Sequence, residues 1–386
     1  MEIRKTSSIE ISRSALEHNY KFIRKRIGKN TILCSVVKGN AYGHSIEKFV
    51  PLAESCGVKF FAVFSSHEAE QVMDVKSPDA RLMVMGMIRN EDIPWAIKND
   101  VEFYVFDFNR LESAVSHAKE MSKKSRIHIE IETGMNRTGF PKDQWERVAE
   151  ILTKNADHLE IEGMCTHFAG AESIANFVRI QNQLLVFTEA KKYFSDLNIT
   201  PKLYHSACSA AMLRYPETTM DLVRVGIVQY GYWPTTETYI QHLMETGKST
   251  SRALRGLITW KTEVMDIKSV NSGEFISYGT SFLASKRMKI ATVPVGYANG
   301  FARSLSNRGR VLINGQRCSV IGMVNMNMII IDVTDMKNIE ISDEVVLIGQ
   351  QKKLKIKVSS FEDMDSFVNY ELLTRMPKDI KRTIVD

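Results

Sequence analysis

A lone lysine, Lys38, ends the apolar run Val36-Val37 and is followed by a turn-forming stretch, Gly39-Asn40-Ala41-Tyr42-Gly43-His44. An amine at the end of a buried strand can be desolvated, and a desolvated lysine titrates low enough to work as a nucleophile or base. Other polar residues stand in the same relation to later apolar runs. Arg137 follows one of them, in Glu132-Thr133-Gly134-Met135-Asn136-Arg137-Thr138-Gly139-Phe140; His167 ends another; His205, Ser206 and Ser209 follow a third; Arg224 lies inside a fourth. Each alone has an ordinary reading, as a surface ion pair, a satisfied rim histidine or a helix-capping serine. Their shared position at the ends of apolar runs is what scattered surface charges would have no reason to show.

The elements that must position them alternate. Eight β-rich runs, Thr31 to Val37, Lys59 to Phe64, Arg81 to Met85, Val101 to Val105, Arg126 to Ile131, Leu159 to Thr166, Lys202 to Tyr204 and Leu222 to Val228, are separated by segments of helical periodicity such as Arg110 to Lys123, Asp143 to Lys154 and Ala175 to Phe194. This predicts an α/β plus β chain whose N-terminal part is a (β/α)8 TIM barrel, with its chemistry at the carboxyl ends of the strands. After the polar stretch Trp233 to Ser251 the pattern turns to strands and turns: Leu257 to Ile267, Lys289 to Val295, Arg310 to Ile313 with the Asn314-Gly315 turn, Ser319 to Val324, Met328 to Val333 and Glu344 to Ile348. The expected division is a barrel domain over 1–245 and a mainly β domain over 246–386, with the N-terminal strand a candidate to join the second domain.

Composition agrees with a two-domain globular chain. The 386 residues are 44% apolar, enough for two cores, and 51 basic against 45 acidic residues give a net charge of only +6 with no long stretch of one sign. That excludes a nucleic-acid footprint. Lys352, Lys353, Lys355 and Lys357 alternate with Leu354 and Ile356, as in a half-exposed strand. Cys34, Cys56, Cys165, Cys208 and Cys318 lack metal-ligand spacing and form an odd set, which points away from a disulfide framework and a metal site and toward the cytoplasm. No run approaches the roughly 18 apolar residues of a membrane span, and Met1 to Arg13 holds no signal-peptide core, so no membrane association is expected.

The Lys38 segment resembles that of the alanine racemase family, and at least seven motif blocks matching that family run in its order from about Ile9 to Tyr370. The resemblance implies a pyridoxal 5'-phosphate enzyme in which Lys38 forms a Schiff base with the cofactor. Tyr42, Ser209, Gly226, Ile227 and Tyr370 would serve its phosphate, Arg137 its phenolic oxygen and the substrate carboxylate, and Arg224 its pyridine nitrogen. An arginine cannot accept that nitrogen's proton, so the ring would stay unprotonated and be a restrained electron sink. By the same likeness Tyr278, in Ile276-Ser277-Tyr278-Gly279-Thr280, is the second catalytic base and acts in the site of a neighbouring subunit, His167 links that tyrosine to Arg224, and Met326 meets the substrate carboxylate. A homodimer with shared sites follows, racemising alanine to supply D-alanine.

Three departures mark this chain. Glu130 stands where many members carry a carbamylated lysine; a glutamate brings its own carboxylate to orient Arg137. In Val324-Asn325-Met326-Asn327-Met328, Asn325 and Asn327 replace the family's Ser or Cys and Asp, and Met323 replaces an arginine of the access corridor, where Tyr297 and Arg303 still match. The altered corridor leaves open a racemase of broader, serine or basic specificity. A barrel-type pyridoxal-phosphate decarboxylase, with an acidic partner at the ring nitrogen, and a non-catalytic cofactor-binding protein are the remaining alternatives.

Overall fold

The computed structural model describes residues 3–247, 252–358 and 369–386. By contact the chain divides into a barrel unit, Ala15–Ala41 with Phe49–Arg255, and a β unit, Met1–Ser14 with Tyr42–Lys48 and Gly256–Asp386. The break near Arg255 lies beyond the 245/246 division that the polar stretch suggested.

After β1 (Ser8–Ser12), eight strands form the barrel: β2 (Ile32–Val36), β3 (Phe60–Ser65), β4 (Arg81–Met87), β5 (Glu102–Val105), β6 (Ser125–Glu130), β7 (Leu159–Cys165), β8 (Leu203–His205) and β9 (Leu222–Val225). Each pairs in parallel with its neighbour in the order β8-β7-β6-β5-β4-β3-β2-β9. The gap between β8 and β9 is bridged by Arg224 N donating to Ala207 O (3.1 Å) and Asp221 N to Tyr204 O (3.1 Å). The (β/α)8 expectation therefore holds. The helix Trp145–Lys154 turns an apolar stripe to the strands, with Trp145, Val148, Ala149 and Leu152 buried at i, i+3, i+4 and i+7. Several strand ends shift by a few residues from expectation, and two of the shifts bear on the site. His205 lies within β8 rather than after it, and β9 stops at Val225, so Gly226 and Ile227 fall in the turn beyond the sheet.

The inside of the barrel is charged, where branched aliphatic layers are usual. In β6, Arg126, His128 and Glu130 alternate with Ile127 and Ile129, and the pleat sends the two sets to opposite sides. The polar set meets its partners inside: Arg126 Nη2 lies 2.7 Å from buried Glu162, and His128 Nε2 lies 2.7 Å from buried Glu102. Arg81, opening β4, forks onto Glu102 (2.7 and 2.9 Å) and reaches Glu162 (2.8 Å). Buried carboxylates persist only with such matched donors.

In the β unit, β10 (Ile258–Glu263), β11 (Asp266–Val270), β12 (Met288–Val293), β13 (Arg310–Ile313), β14 (Gln316–Ile321), β15 (Ile329–Asp332), β16 (Glu344–Gln351), β17 (Leu354–Ile356) and β18 (Lys381–Val385) join β1 in one sheet. Its order is β11-β12-β15-β14-β13-β16-β10-β1-β18, with β17 added to β16. The N-terminal strand thus belongs here, antiparallel to β10 and parallel to β18. The single run read over Leu257 to Ile267 is two strands, because β10 pairs with β1 and β16 while β11 turns away to β12. The segment after the Lys38 turn is gripped within this unit. Arg382 Nε donates to Gly43 O (3.0 Å), and a Cβ on Gly43 would stand 1.9 Å from Leu373 O. No described helix is long and apolar enough to cross a membrane.

Candidate active site

Lys38 leaves β2 into a turn of the opposite hand. Gly39, Asn40, Ala41 and Tyr42 all have positive φ (63°, 55°, 55° and 51°), a left-handed helical turn. L-residues resist this by roughly 1–2 kcal/mol each, so the surroundings must hold it. Glu68 does so from the next strand–helix unit, accepting from Gly39 N (2.6 Å) and Phe64 N (2.9 Å). Solvent reaches Lys38, yet protein crowds its amine enough that desolvation, then the positive charge of Arg137, lowers its pKa. The amine is shifted toward its neutral, reactive form.

Arg224, in the last barrel strand, is buried and almost fully committed. Its Nη1 donates to the His205 ring at Nδ1 and to His205 O (3.0 Å), and its Nη2 to Thr166 O (2.7 Å) and Ser206 O (3.0 Å). Four of the five N–H bonds are used, leaving Nε–H without a partner among the described residues. The histidine bonded to Arg224 is thus His205, not His167, whose link to Arg224 had been expected. Burial, then the charges of Arg224, Arg137 and Lys38, lowers His167 to about 3, so its imidazole is neutral.

The Arg137 loop is shaped by its own acidic residue. Glu132 accepts from the backbone of Gly134, of Asn136 (2.9 Å) and of Arg137 (3.3 Å). Gly139, at φ 114°, has no room for a side chain, since a Cβ would lie 2.6 Å from Glu132 N. Buried Gln183 ties this loop to the next, donating to Thr133 Oγ1 (3.1 Å) and His167 O (3.1 Å) and accepting from Ala169 N (2.9 Å). Glu130 closes β6 beneath, buried, with Oε2 unpartnered among the described residues. Burial raises its pKa, while a hydrogen bond with Thr138 and the charges of Arg137 and Arg224 pull the other way.

At the adjoining ends of β2 and β9, Ser209 Oγ accepts from Gly226 N (2.9 Å) and Ile227 is buried in the following turn. Gln229 holds both strand ends: it donates to Val36 O (3.0 Å) and Val225 O (2.9 Å) and accepts from Ser35 Oγ (2.7 Å) and Tyr20 OH (2.9 Å). Sequence reasoning missed Gln183, Gln229 and His128. A polar residue at an apolar period was their only signal.

The barrel unit therefore gathers Lys38, Glu130, Arg137, His167, Ser209, Arg224, Gly226 and Ile227 at the carboxyl ends of its strands. In the β unit a second group assembles. Tyr297 N donates to Asn325 O (3.0 Å) and Ala298 N to Met326 O (2.9 Å), while Ser277 Oγ donates to Met323 O (2.7 Å) and Asn325 Oδ1 (3.1 Å). Three loops are thereby knitted into a surface bearing Tyr278 (71% exposed), Met326 (56%) and Tyr297 (44%), too open for core residues. Asn325 thus anchors the residue next to Tyr278. Tyr42 ends the left-handed turn, and Arg303 is exposed in a short 3-10 turn. Tyr370 lies on the helix Asn369–Thr374, its side chain outside the described residues. No group of three or more metal-ligating side chains occurs among the described residues.

An amine shifted toward neutrality, an arginine with one N–H in reserve, and a serine–glycine turn at two strand ends fit an aldehyde-bearing, phosphorylated pyridine. Comparison with known proteins accords with that donor set. Residues 11–234 match the model of the alanine racemase N-terminal domain, and residues 257–384 that of the C-terminal domain. An alanine racemase of Clostridium perfringens is 32% identical over 375 residues, covering 97% of this chain and 94% of that protein. Among solved structures, the alanine racemase of D-cycloserine-producing Streptomyces lavendulae superposes with a TM-score of 0.90 at 27% identity, covering 100% and 98% of the two chains. That of Bacillus anthracis with bound L-Ala-P does so with 0.89 at 29%, covering 100% and 96%. With both domain models matched in order and relatives alike over nearly their whole length, the chain belongs to the alanine racemase family.

Proposed function

We propose that the chain interconverts L- and D-alanine as a homodimer loaded with pyridoxal 5'-phosphate, with Lys38 of one copy and Tyr278 of the other as bases on opposite faces of the substrate. The observation that carries this reading is the state of Arg224: a buried guanidinium saturated by neutral acceptors, with only Nε–H uncommitted. A decarboxylase of this architecture would place a carboxylate there.

When bound, the cofactor would supply an electron sink that acidifies the substrate's α-proton. Lys38 is the amine to hold its aldehyde, Arg224 Nε–H the donor to its ring nitrogen, and Ser209, the Gly226–Ile227 backbone, Tyr42 and Tyr370 the phosphate cradle. Because Arg224 can only donate, it leaves the ring nitrogen unprotonated. Arg137, on the loop shaped by Glu132, serves the phenolic oxygen and the substrate carboxylate, with Met326 of the second copy alongside. Glu130 takes the orienting role of a carbamylated lysine without carbon dioxide. With substrate bound, the Lys38 amine would exchange the α-proton of D-alanine and the Tyr278 phenolic oxygen that of L-alanine; inversion needs both. The exposure of Tyr278, Tyr297 and Met326 is what a surface meant for a second copy would have, and C2 symmetry then makes two equal sites.

Proton NMR in deuterated water on L-alanine, L-serine and L-lysine, with chiral analysis, tests the reading. Deuteration at Cα with D-alanine formation is expected for alanine foremost. A faster reaction with serine or lysine would shift the assignment to a broader racemase. Carbon dioxide release from lysine would replace it with decarboxylation.

A further inference from the structure

Behind Arg224 a line of buried side chains runs down the barrel. His205 Nδ1 receives Arg224 Nη1; His205 Nε2 lies 2.9 Å from His128 Nδ1; His128 Nε2 lies 2.7 Å from Glu102 Oε2; Glu102 takes the fork of Arg81. His205, His128 and Glu102 are each fully shielded from solvent. The proton positions follow from one end. Arg224 can only donate, so His205 Nδ1 is bare and its proton sits on Nε2; that proton points at His128 Nδ1, which must be bare, so His128 carries its proton on Nε2 and gives it to the Glu102 carboxylate. Every donor points from Arg224 toward Glu102. A cationic His128 would break this order, because its Nδ1–H would force His205 to present Nδ1–H against Arg224.

Gly163 shows that the contact between the rings is built in. A Cβ there would stand 2.3 Å from His128 Nδ1 and 3.0 Å from His205 Nε2, at the joint of the chain. Burial and then the Arg224 charge also lower the His205 pKa, consistent with a neutral ring.

We propose that Glu102, acting through His128 and His205, is a positioning residue for Arg224: it fixes the direction of every proton in the line and so keeps His205 Nδ1 a bare acceptor that holds Arg224 Nη1, with Nε–H reserved for the ring nitrogen. This rests on the reading of Arg224 as the ring-nitrogen partner. The established contribution of a barrel interior is packing; here it also sets the electrostatics of the mouth from two rings away.

The test is two-bond proton–nitrogen correlation NMR on the full-length protein labelled with nitrogen-15 histidine, with His128 and His205 assigned by substitution. Both rings should be neutral Nε2–H tautomers at neutral pH. Gly163→Ala leaves every hydrogen-bonding side chain in place but parts the two rings, and should give His205 a mixed tautomer signal. In the cofactor-loaded variant the visible absorption band should shift and kcat should fall about tenfold, the scale of one hydrogen bond, with KM little changed. Glu102→Gln, which places an amide N–H among donors, should disturb the same His128 and His205 signals and serves if Gly163→Ala does not fold. An Nδ1–H or cationic His205 in the native protein overturns the proposal, as does a tautomer change in either variant with an unmoved absorption band. If Arg224→Lys leaves that band unmoved while the native tautomers are as stated, the premise about Arg224 is what fails.

Discussion

At the scale of single residues the site is a matter of which charges are free to act. Glu130 is buried with one oxygen unpartnered and faces Thr138 and two arginines, so Glu130→Ala should lower racemisation about tenfold or more by releasing Arg137. Native activity should also be indifferent to removal of dissolved carbon dioxide, and a dependence on it would contradict the glutamate's role. Asn325 offers a second test: Asn325→Ala removes one of the two acceptors of Ser277 Oγ beside Tyr278, leaving Met323 O, and should lower kcat severalfold while leaving the cofactor spectrum unaltered. A changed spectrum would show that this loop acts elsewhere. Lys38, Arg137 and Arg224 were legible in the sequence because each stands out against an apolar run. His128 and Glu102 were not, because a single polar residue in a strand gives no sign of which barrel neighbour it meets. Alternation in Arg126-Ile127-His128-Ile129-Glu130 did hold the clue that polar residues face inward.

Among elements, the strand ends decide where those residues stand. Gln229 joins the ends of β2 and β9, next to Lys38 and the Gly226 turn, through four hydrogen bonds. Gln229→Leu removes the donor to Val225 O and the acceptor of the Ser35 and Tyr20 hydroxyls, while Val36 O keeps Tyr230 OH (3.0 Å), so a loss of about 2 kcal/mol or more is expected. Thermal unfolding should show it as a fall of several degrees with weakened cofactor retention; an unchanged midpoint would mean that water replaces the side chain. All eight barrel strands were readable, some as continuous apolar runs such as Phe60–Ser65 and others, such as β6, by alternation of apolar and polar residues between helical segments. Their ends were not. His205 was assigned past its strand and β10–β11 were read as one, because pairing partners, not composition, decide where a strand stops. The left-handed turn after Lys38 was likewise hidden: only Gly39 and Gly43 hint at it, while Asn40, Ala41 and Tyr42 adopt it under tertiary constraint.

For the whole molecule, the buried neutral and ionised groups set a direction for acid stability. His167 titrates near 3 in the fold against 6.5 in a free chain, so between those values the unfolded state binds the extra proton and stability falls as pH falls. Burial would raise the Glu102 carboxyl, but its hydrogen bonds with His128 and Arg81 and the Arg81 charge outweigh it and hold it below the usual 4.5; its contribution is present above 4.5 and is lost as pH falls below that. The unfolding midpoint should therefore hold above about pH 6.5 and decline continuously below it, with His167→Asn flattening the upper part of the decline. A midpoint that rises on acidification would contradict this. The two-base reading also ties turnover to association, so activity per chain should vanish on dilution below the dimer's dissociation constant. The most direct test of that reading follows deuterium entry into separate samples of D- and L-alanine by cofactor-loaded Tyr278→Phe in deuterated water. The account predicts that Cα exchange persists in D-alanine through Lys38, that exchange in L-alanine falls by at least about a hundredfold, and that racemisation falls with it. Undiminished racemisation, or equal loss of exchange from both enantiomers, would contradict two bases on opposite faces.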